Sequence, residues 1–284
     1  MDQQALKLIQ ETALNAEGMR KILTHKPVAA LPNDYTLHDL EPYEQYRSQF
    51  RGIFSTNAIA ALAFYIEAEK IKQAANGGEP LVFPGFVDVD AMAARVFFDL
   101  NVIDAEGKFQ PGHALHQAIL QLKKTAEHAA VLRANGSQFT QADLIEWLED
   151  WHPNVFSLAD EQGQPVTPVS AIAAIRRLEI TTKSNSSHTT EALRAERTAL
   201  EQVEARGAGQ LPTRIVFNCV PYPGLPRRDF PLRLSVITSH DKPRLVLRIV
   251  NLEAIAEAIA EDFRTALAAA IGGAATLTLG TFKP

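Results

Sequence analysis

The chain is poor in cysteine, because Cys219 is the only one in its 284 residues. A single cysteine can form no disulfide within the chain and cannot build a cysteine-based zinc site. Long hydrophobic runs are also missing, since none reaches the ~18 residues that a membrane-spanning helix needs. The first residues lack the basic start and the apolar stretch of a signal peptide. We therefore expect a soluble cytoplasmic protein with no membrane partner.

The sequence also lacks the motifs of common enzymes. It has no glycine-rich phosphate loop, no Gly-x-Gly-x-x-Gly, no Gly-x-Ser-x-Gly, no His-Glu-x-x-His and no EF-hand pattern. The polar run 181–190 holds the only nucleophile and base candidates, which are Ser184, Ser186, Ser187 and His188. On an extended chain, adjacent Ser187 and His188 point to opposite faces, which favours a polar strand or loop over a catalytic site. We predict no enzymatic activity and no cofactor.

Three histidines raise the question of a metal site: His113, His116 and His128. His113 and His116 are three residues apart, a spacing that suits two metal ligands on a helix. Pro111-Gly112 and the pattern that follows favour a strand instead, where this spacing places the two side chains on opposite faces. We predict that no metal is bound.

Charge is slightly acidic, with a formal net charge of −5, which argues against a generally basic nucleic-acid-binding protein. A local basic surface is still compatible with this balance. The loop 220–233, VPYPGLPRRDFPLR, combines the aromatic rings of Tyr222 and Phe230 with Arg227 and Arg228. Such a loop could stack a base and bind a phosphate. Alternatively, it is a rigid turn whose arginines pair with acidic neighbours.

Further arginines lie on the strands predicted around this loop. Alternation along a strand places Arg244 and Arg248 on one face. Together with Arg214 and Arg233 on nearby predicted strands they could form a basic strip, which Arg176 and Arg177 could join. The anion-binding or nucleic-acid-binding site predicted from the sequence consists of Tyr222, Arg227, Arg228, Arg244 and Arg248. A subunit interface would use the same strip equally well.

Hydrophobic periodicity predicts a chain of mixed helices and strands. The clearest local signal is Thr140, which can cap a helix and has Asp143 at the capping-box position, with Phe139 and Leu144 placed for a hydrophobic staple. Helices are predicted over 2–22, 58–75, 141–151, 190–207 and 252–270, and residues 169–180 are predicted to be helical or to switch into a strand near Leu178. Strands are predicted over 81–89, 91–100, 113–122, 214–220, 231–239, 244–250 and 276–282.

The order of these elements and the absence of an internal repeat or a long linker favour one α+β unit. We expect an antiparallel β-sheet with amphipathic helices packed on it, and helices near both termini. Residues 1–45 form an N-terminal helix and a proline-containing connector in this interpretation, and residues 46–284 form a single domain.

Several segments, among them RVFFDLN, PGHALHQAILQLKKTAEHAAV, FTQADLIEWLEDW, FPLRLSVIT and KPRLVLRIV, resemble the YfdQ-like prophage proteins, a family of unknown function. The resemblance extends over roughly residues 45–284. It implies a bacterial cytoplasm during phage replication or lysogeny, and it supplies no catalytic residue. It also implies that the polar run 181–190 is a strand of the scaffold.

Two hypotheses for function follow. The leading one is a non-enzymatic phage accessory protein that works as a homo-oligomer. It is motivated by the two-sided apolar hairpin 232–249, the small residues of the C-terminal helix and the polar strand. The alternative is a nucleic-acid-binding or nucleotide-binding protein, in phage DNA metabolism or counter-defence, that uses the arginines.

Overall fold

The computed structural model describes residues 45–46, 51–75, 82–103, 107–178, 211–238 and 243–284. The polar run 181–190 and the helices predicted over 2–22 and 190–207 lie outside these residues, as does most of the proline-containing connector. The elements described below belong to the compact unit Arg51–Pro284.

Twelve strands are found in these residues: β1 (Gly52–Thr56), β2 (Phe83–Asp88), β3 (Ala93–Phe97), β4 (Asn101–Ile103), β5 (Phe109–Pro111), β6 (His116–Gln121), β7 (Gln138–Phe139), β8 (Val155–Ala159), β9 (Arg214–Cys219), β10 (Arg228–Thr238), β11 (Pro243–Ile249) and β12 (Ala275–Leu279). The α-helices of the described residues are α1 (Ile59–Ala75), α2 (Ala126–Ala134), α3 (Gln141–Asp150), α4 (Pro168–Arg176) and α5 (Leu252–Ile271).

The first sheet has the strand order β1-β6-β3-β2-β12. Its three central strands pair antiparallel, whereas β1 is parallel to β6 and β12 is parallel to β2. Helices α1 and α5 pack against each other, and α1 also contacts β6. The buried stripe of α5 consists of Ile259, Phe263, Leu267 and Ile271, which recur at the four-residue spacing of one helix face.

Gly85 allows β12 to lie beside the middle of β2. A Cβ atom at this position would be 2.8 Å from Cδ2 of Leu277 and 3.3 Å from Cγ2 of Val96. The first distance is shorter than carbon contacts allow, so a larger residue would force the Leu277 side chain of β12 to move.

The second sheet, with the order β7-β11-β10-β9-β8, is antiparallel throughout. One face carries buried side chains such as Ile215, Phe217, Leu232 and Leu247. Helices α2 and α3 contact β11. The start of α3 is the capping box predicted from the sequence, because Thr140 accepts from the Asp143 N–H and the Asp143 carboxylate accepts from the Thr140 N–H. A single hydrophobic core includes side chains from both sheets.

The predicted α+β class is confirmed, as are the helices and strands that the sequence predicts within the described residues. The first sheet differs from the expectation in being partly parallel. Its parallel strands β1 and β12 are edge strands, and their largely exposed side chains give no pattern that predicts direction. None of the described helices is both long enough and apolar enough to cross a membrane.

Candidate nucleic-acid interface

Three arginines form a row across the centre of the second sheet. Arg233 of β10 lies opposite Arg248 of β11 on one side and opposite Arg214 of β9 on the other. Directly opposite residues of antiparallel strands place their side chains on the same face, with Cβ atoms about 5 Å apart. The row Arg214–Arg233–Arg248, called the arginine row below, therefore spans about 10 Å across three strands.

All three side chains of the arginine row are exposed. Their neighbours along the strands, Ile215, Leu232 and Ile249, are buried and point to the opposite, helix-covered face. Within the described parts of the chain, no carboxylate forms an ion pair with a member of the row. The second sheet thus presents three positive charges on its outer face.

Arg244 extends this positive surface along β11. It lies four residues before Arg248, so strand alternation places both on the same face, about 13 Å apart. Arg244 is exposed and lies opposite Ile237 of β10. It also lies close enough to Asp143 to help lower the pKa of that carboxyl, although hydrogen bonding to Thr140 is the main cause of the shift. The sequence-based placement of Arg244 and Arg248 on one face agrees with the register.

The two arginines of the loop have partners within the protein. Arg227 donates from Nε to Oδ1 of Asn218 at 2.6 Å and from Nη2 to the Asn218 carbonyl at 3.1 Å. Asn218 in turn donates to Asp229 at 2.6 Å. Arg227 is exposed, so its charge is accessible, but its guanidinium already holds the end of β9 in place.

Arg228 is more strongly engaged than Arg227. Its Nε and Nη2 atoms lie 3.0 and 2.7 Å from Oδ2 of Asp262, and Nη2 donates to the Ala258 carbonyl at 3.3 Å. Asp262 and Ala258 belong to α5, so Arg228 ties the start of β10 to that helix. Arg227 and Arg228 also line a cleft of about 590 Å³ between β10 and the first turns of α5.

Tyr222 is buried beneath the loop and offers no exposed face to a base. Its ring meets His128 edge to face at 5.5 Å, and burial raises its pKa. His128 is itself buried and donates from Nδ1 to the Pro221 carbonyl at 3.0 Å. Burial lowers the pKa of His128, and the bond to Pro221 opposes this effect only in part. Tyr222 and His128 therefore fix the loop to α2.

The other sequence-based candidates fall into separate environments. His116 is buried, with Nε2 at 3.0 Å from the Tyr65 hydroxyl, whereas His113 is exposed. No group of three or more potential metal ligands occurs among the residues that the structure describes. Burial raises the pKa of the Cys219 thiol to about 12, so it stays protonated at neutral pH. Ser184, Ser186, Ser187 and His188 lie outside the described residues.

The structure thus divides the predicted site into two parts. Arg244 and Arg248 share the outer face of the second sheet with Arg214 and Arg233, which the sequence placed on nearby strands of the same possible strip. Tyr222, Arg227 and Arg228 lie at the other end of β10, where they stabilise the loop. Arg176 and Arg177 lie at the C-terminal end of α4, a helix that packs on α3.

Comparison with known proteins gives a family but no characterised relative. No curated protein and no solved structure matches the chain. One family model, described as an uncharacterized conserved protein (DUF2303), matches residues 2–282. The match extends over nearly the whole sequence, and the chain therefore belongs to the DUF2303 family.

Proposed function

We propose that the protein binds nucleic acid through the outer face of its second sheet, with the arginine row contacting the phosphate backbone. The observation that carries this proposal is the register that aligns Arg214, Arg233 and Arg248 across three strands. Arginine forms paired hydrogen bonds with phosphate and keeps its charge at any physiological pH.

Without a bound ligand, the arginine row lowers the stability of the fold. Like charges directly opposite each other on neighbouring strands are destabilising, by about 0.2–1 kcal/mol for each pair. Two such pairs occur here, Arg214 with Arg233 and Arg233 with Arg248. A feature that opposes local stability is typical of a functional surface, because a bound polyanion would compensate the repulsion.

The chemistry of the face favours binding without sequence preference. Besides the arginines, this face carries the aliphatic or hydroxylic residues Val216, Ser235, Ile237 and Val246, and Asn218 and Asp229 lie at its end near the loop. Stacking on bases would need aromatic rings, and the aromatic ring of the predicted site, Tyr222, is buried elsewhere. Phosphate contacts position a nucleic acid but carry no sequence information.

The biological setting belongs to this proposal. The resemblance to YfdQ-like prophage proteins supports a phage or prophage accessory role in DNA metabolism or counter-defence, in a bacterial cytoplasm. The proposed role is one of binding, without a catalytic step or a cofactor.

A salt titration of fluorescence anisotropy tests the proposal, with the full chain and a labelled oligothymidylate or a labelled duplex as the probe. We expect binding whose log affinity falls linearly with log salt concentration, as phosphate contacts require. If a nucleoside triphosphate displaces the oligonucleotide at equal concentration, the ligand of this surface is a nucleotide and not a nucleic acid. Absence of binding to either probe at about 50 mM salt would overturn the proposal.

Self-assembly is a second candidate, and the uncharged edge strand β12 favours it. The apolar surfaces that first suggested an oligomer are largely used within the chain. The apolar stripe of α5 is buried, and of the second face of the hairpin only Ile237 and Val250 stay exposed, at 39% and 42%. A monomer of 31.2 kDa at micromolar concentration would exclude self-assembly.

A further inference from the structure

Strand β12 ends the first sheet with one of its two edges unpaired among the described residues. The Gly280 N–H donates to the Val87 carbonyl of β2 at 2.9 Å. Because successive backbone groups alternate in direction, the N–H groups of Thr276 and Thr278 also point towards β2. The N–H and C=O groups of Leu277 and Leu279 therefore point to the open edge. Leu279 is 62% exposed, and both threonine side chains are exposed as well.

This edge lacks the usual protection against pairing with another strand. Natural edge strands carry charges, prolines or bulges, or are very short. In the second sheet, β7 has only two residues and β8 has a register shift between Val155 and Ser157. The segment 275–282, ATLTLGTF, contains no charged residue and no proline.

The composition of β12 favours a second copy of the same chain as the partner. Because β12 carries no charge, it does not favour a partner strand of opposite charge. Pairing of β12 with β12 of a second copy brings no like charges together. Strands related by a two-fold axis perpendicular to them run antiparallel, which is compatible with an isologous dimer. Such an interface would extend the first sheet from one protomer into the other.

We propose that two copies of the chain associate by antiparallel pairing of their β12 strands, centred on Leu277. In this register Leu277 exchanges both backbone hydrogen bonds with Leu277 of the second copy. Thr276 lies opposite Thr278 across the axis, and Ala275 lies opposite Leu279. The pairing satisfies the open backbone groups and covers Leu279. This inference rests on the proposal of self-assembly and names the surface that performs it.

The register predicts the outcome of a charge-swap experiment at Thr276 and Thr278. In the double variant Thr276→Lys/Thr278→Lys, lysines face each other across the axis, and like charges directly opposite destabilise a strand pair. In Thr276→Lys/Thr278→Glu, each lysine faces a glutamate of the second copy. Both positions are exposed, so neither variant removes buried contacts. Thermal unfolding of both variants controls for the fold.

Native mass spectrometry of the full chain gives the readout, with analytical ultracentrifugation for the dissociation constants. We expect the wild type to form a multiple of 31.2 kDa, and the Lys/Lys variant to dissociate to half that mass, with a dissociation constant raised at least about tenfold. The Lys/Glu variant should assemble as the wild type does.

A second pair of variants tests the backbone pairing itself. Leu279→Pro removes an N–H from the open edge without removing a hydrogen bond to β2, and should also cause dissociation. Thr281→Pro, beyond the end of the strand, is the matched control and should assemble. A wild-type oligomer that all four variants leave intact would overturn the β12 interface while self-assembly stands. A monomeric wild type would overturn both.

Discussion

The two groups of arginines in this protein differ in what surrounds their charges. Arg227 and Arg228 lie in a proline-rich loop and are bound to Asn218, Asp262 and the Ala258 carbonyl. The arginine row lies on open strands and has no ion-pair partner among the described residues. The first group stabilises the fold, whereas the second opposes it through repulsion. Arginines that look most like a ligand loop in sequence are therefore the less available ones in the structure.

Neutralising the arginine row should have the largest effect on binding. The triple variant Arg214→Gln/Arg233→Gln/Arg248→Gln removes three phosphate contacts, and we expect affinity for the oligonucleotide to fall at least about 100-fold. The measurement is anisotropy at constant salt. The matched control is Arg133→Gln/Arg176→Gln/Arg264→Gln, which changes net charge equally at exposed positions elsewhere. Equal losses of affinity in the two triple variants would show that net charge, and not the position of the arginines, determines binding.

Replacement of Arg228 should weaken the fold and spare binding. Arg228→Gln leaves Asp262 without its cation, and because the pair is partly exposed we expect a loss of about 1 kcal/mol in the free energy of unfolding. Denaturant unfolding measures this loss. Arg227→Gln is the control, since its main partner is a neutral amide. If Arg228→Gln keeps full stability and abolishes oligonucleotide binding, Arg228 belongs to the binding site and not to the arginines that stabilise the fold.

Replacement of Arg233 should change stability in the opposite direction. Arg233 is the centre of the row, so Arg233→Gln removes both like-charge pairs, and we expect the free energy of unfolding to rise by about 0.4–2 kcal/mol. The gain should shrink in high salt, because screening already weakens the repulsion there. A loss of stability that salt does not alter would mean that Arg233 is held by attractive contacts.

The smallest expected effect concerns His128 beneath the loop. Its folded-state pKa is lowered by burial, so the unfolded chain takes up a proton first as the pH falls below about 6.5. The stability contributed by neutral His128 is present above that pH and is lost as the pH falls towards its folded-state pKa. His128→Gln should therefore show a smaller decrease of the thermal midpoint between about pH 7 and pH 5. Identical pH profiles would assign the acid sensitivity to other groups.

Much of the fold follows from local sequence signals. The capping box at Thr140, the stripe of α5 and the alternation in β10 and β11 depend on residues close in sequence, and the structure confirms them. The helix α2 and the strands β1, β4, β5, β7 and β8 were not predicted, and these strands are short or largely exposed and lack a clear alternation. The parallel pairing of β12 depends on where α5 ends relative to β2, and no local sequence pattern specifies that position.

The candidate site was predicted only in part for a related reason. Alternation along β11 predicts that Arg244 and Arg248 share a face, but it does not predict that Arg233 lies opposite Arg248, because that depends on the register between β10 and β11. The position of Arg214 depends on the irregular loop between β9 and β10, whose geometry is set by Arg227, Arg228 and the buried Tyr222. The pairing of Arg228 with Asp262 joins residues distant in sequence, so the composition of the loop alone could not exclude it.

Phosphate binding by the arginine row is tested most directly by comparing the salt dependence of oligonucleotide binding for the wild type and the triple row variant. Each arginine that contacts a phosphate contributes about 0.7–0.9 to the slope of log affinity against log salt. We expect the slope of the triple variant to be shallower by about two to three, and the matched control to keep the wild-type slope. Parallel lines for the wild type and the triple variant would contradict a role of Arg214, Arg233 and Arg248 in phosphate binding.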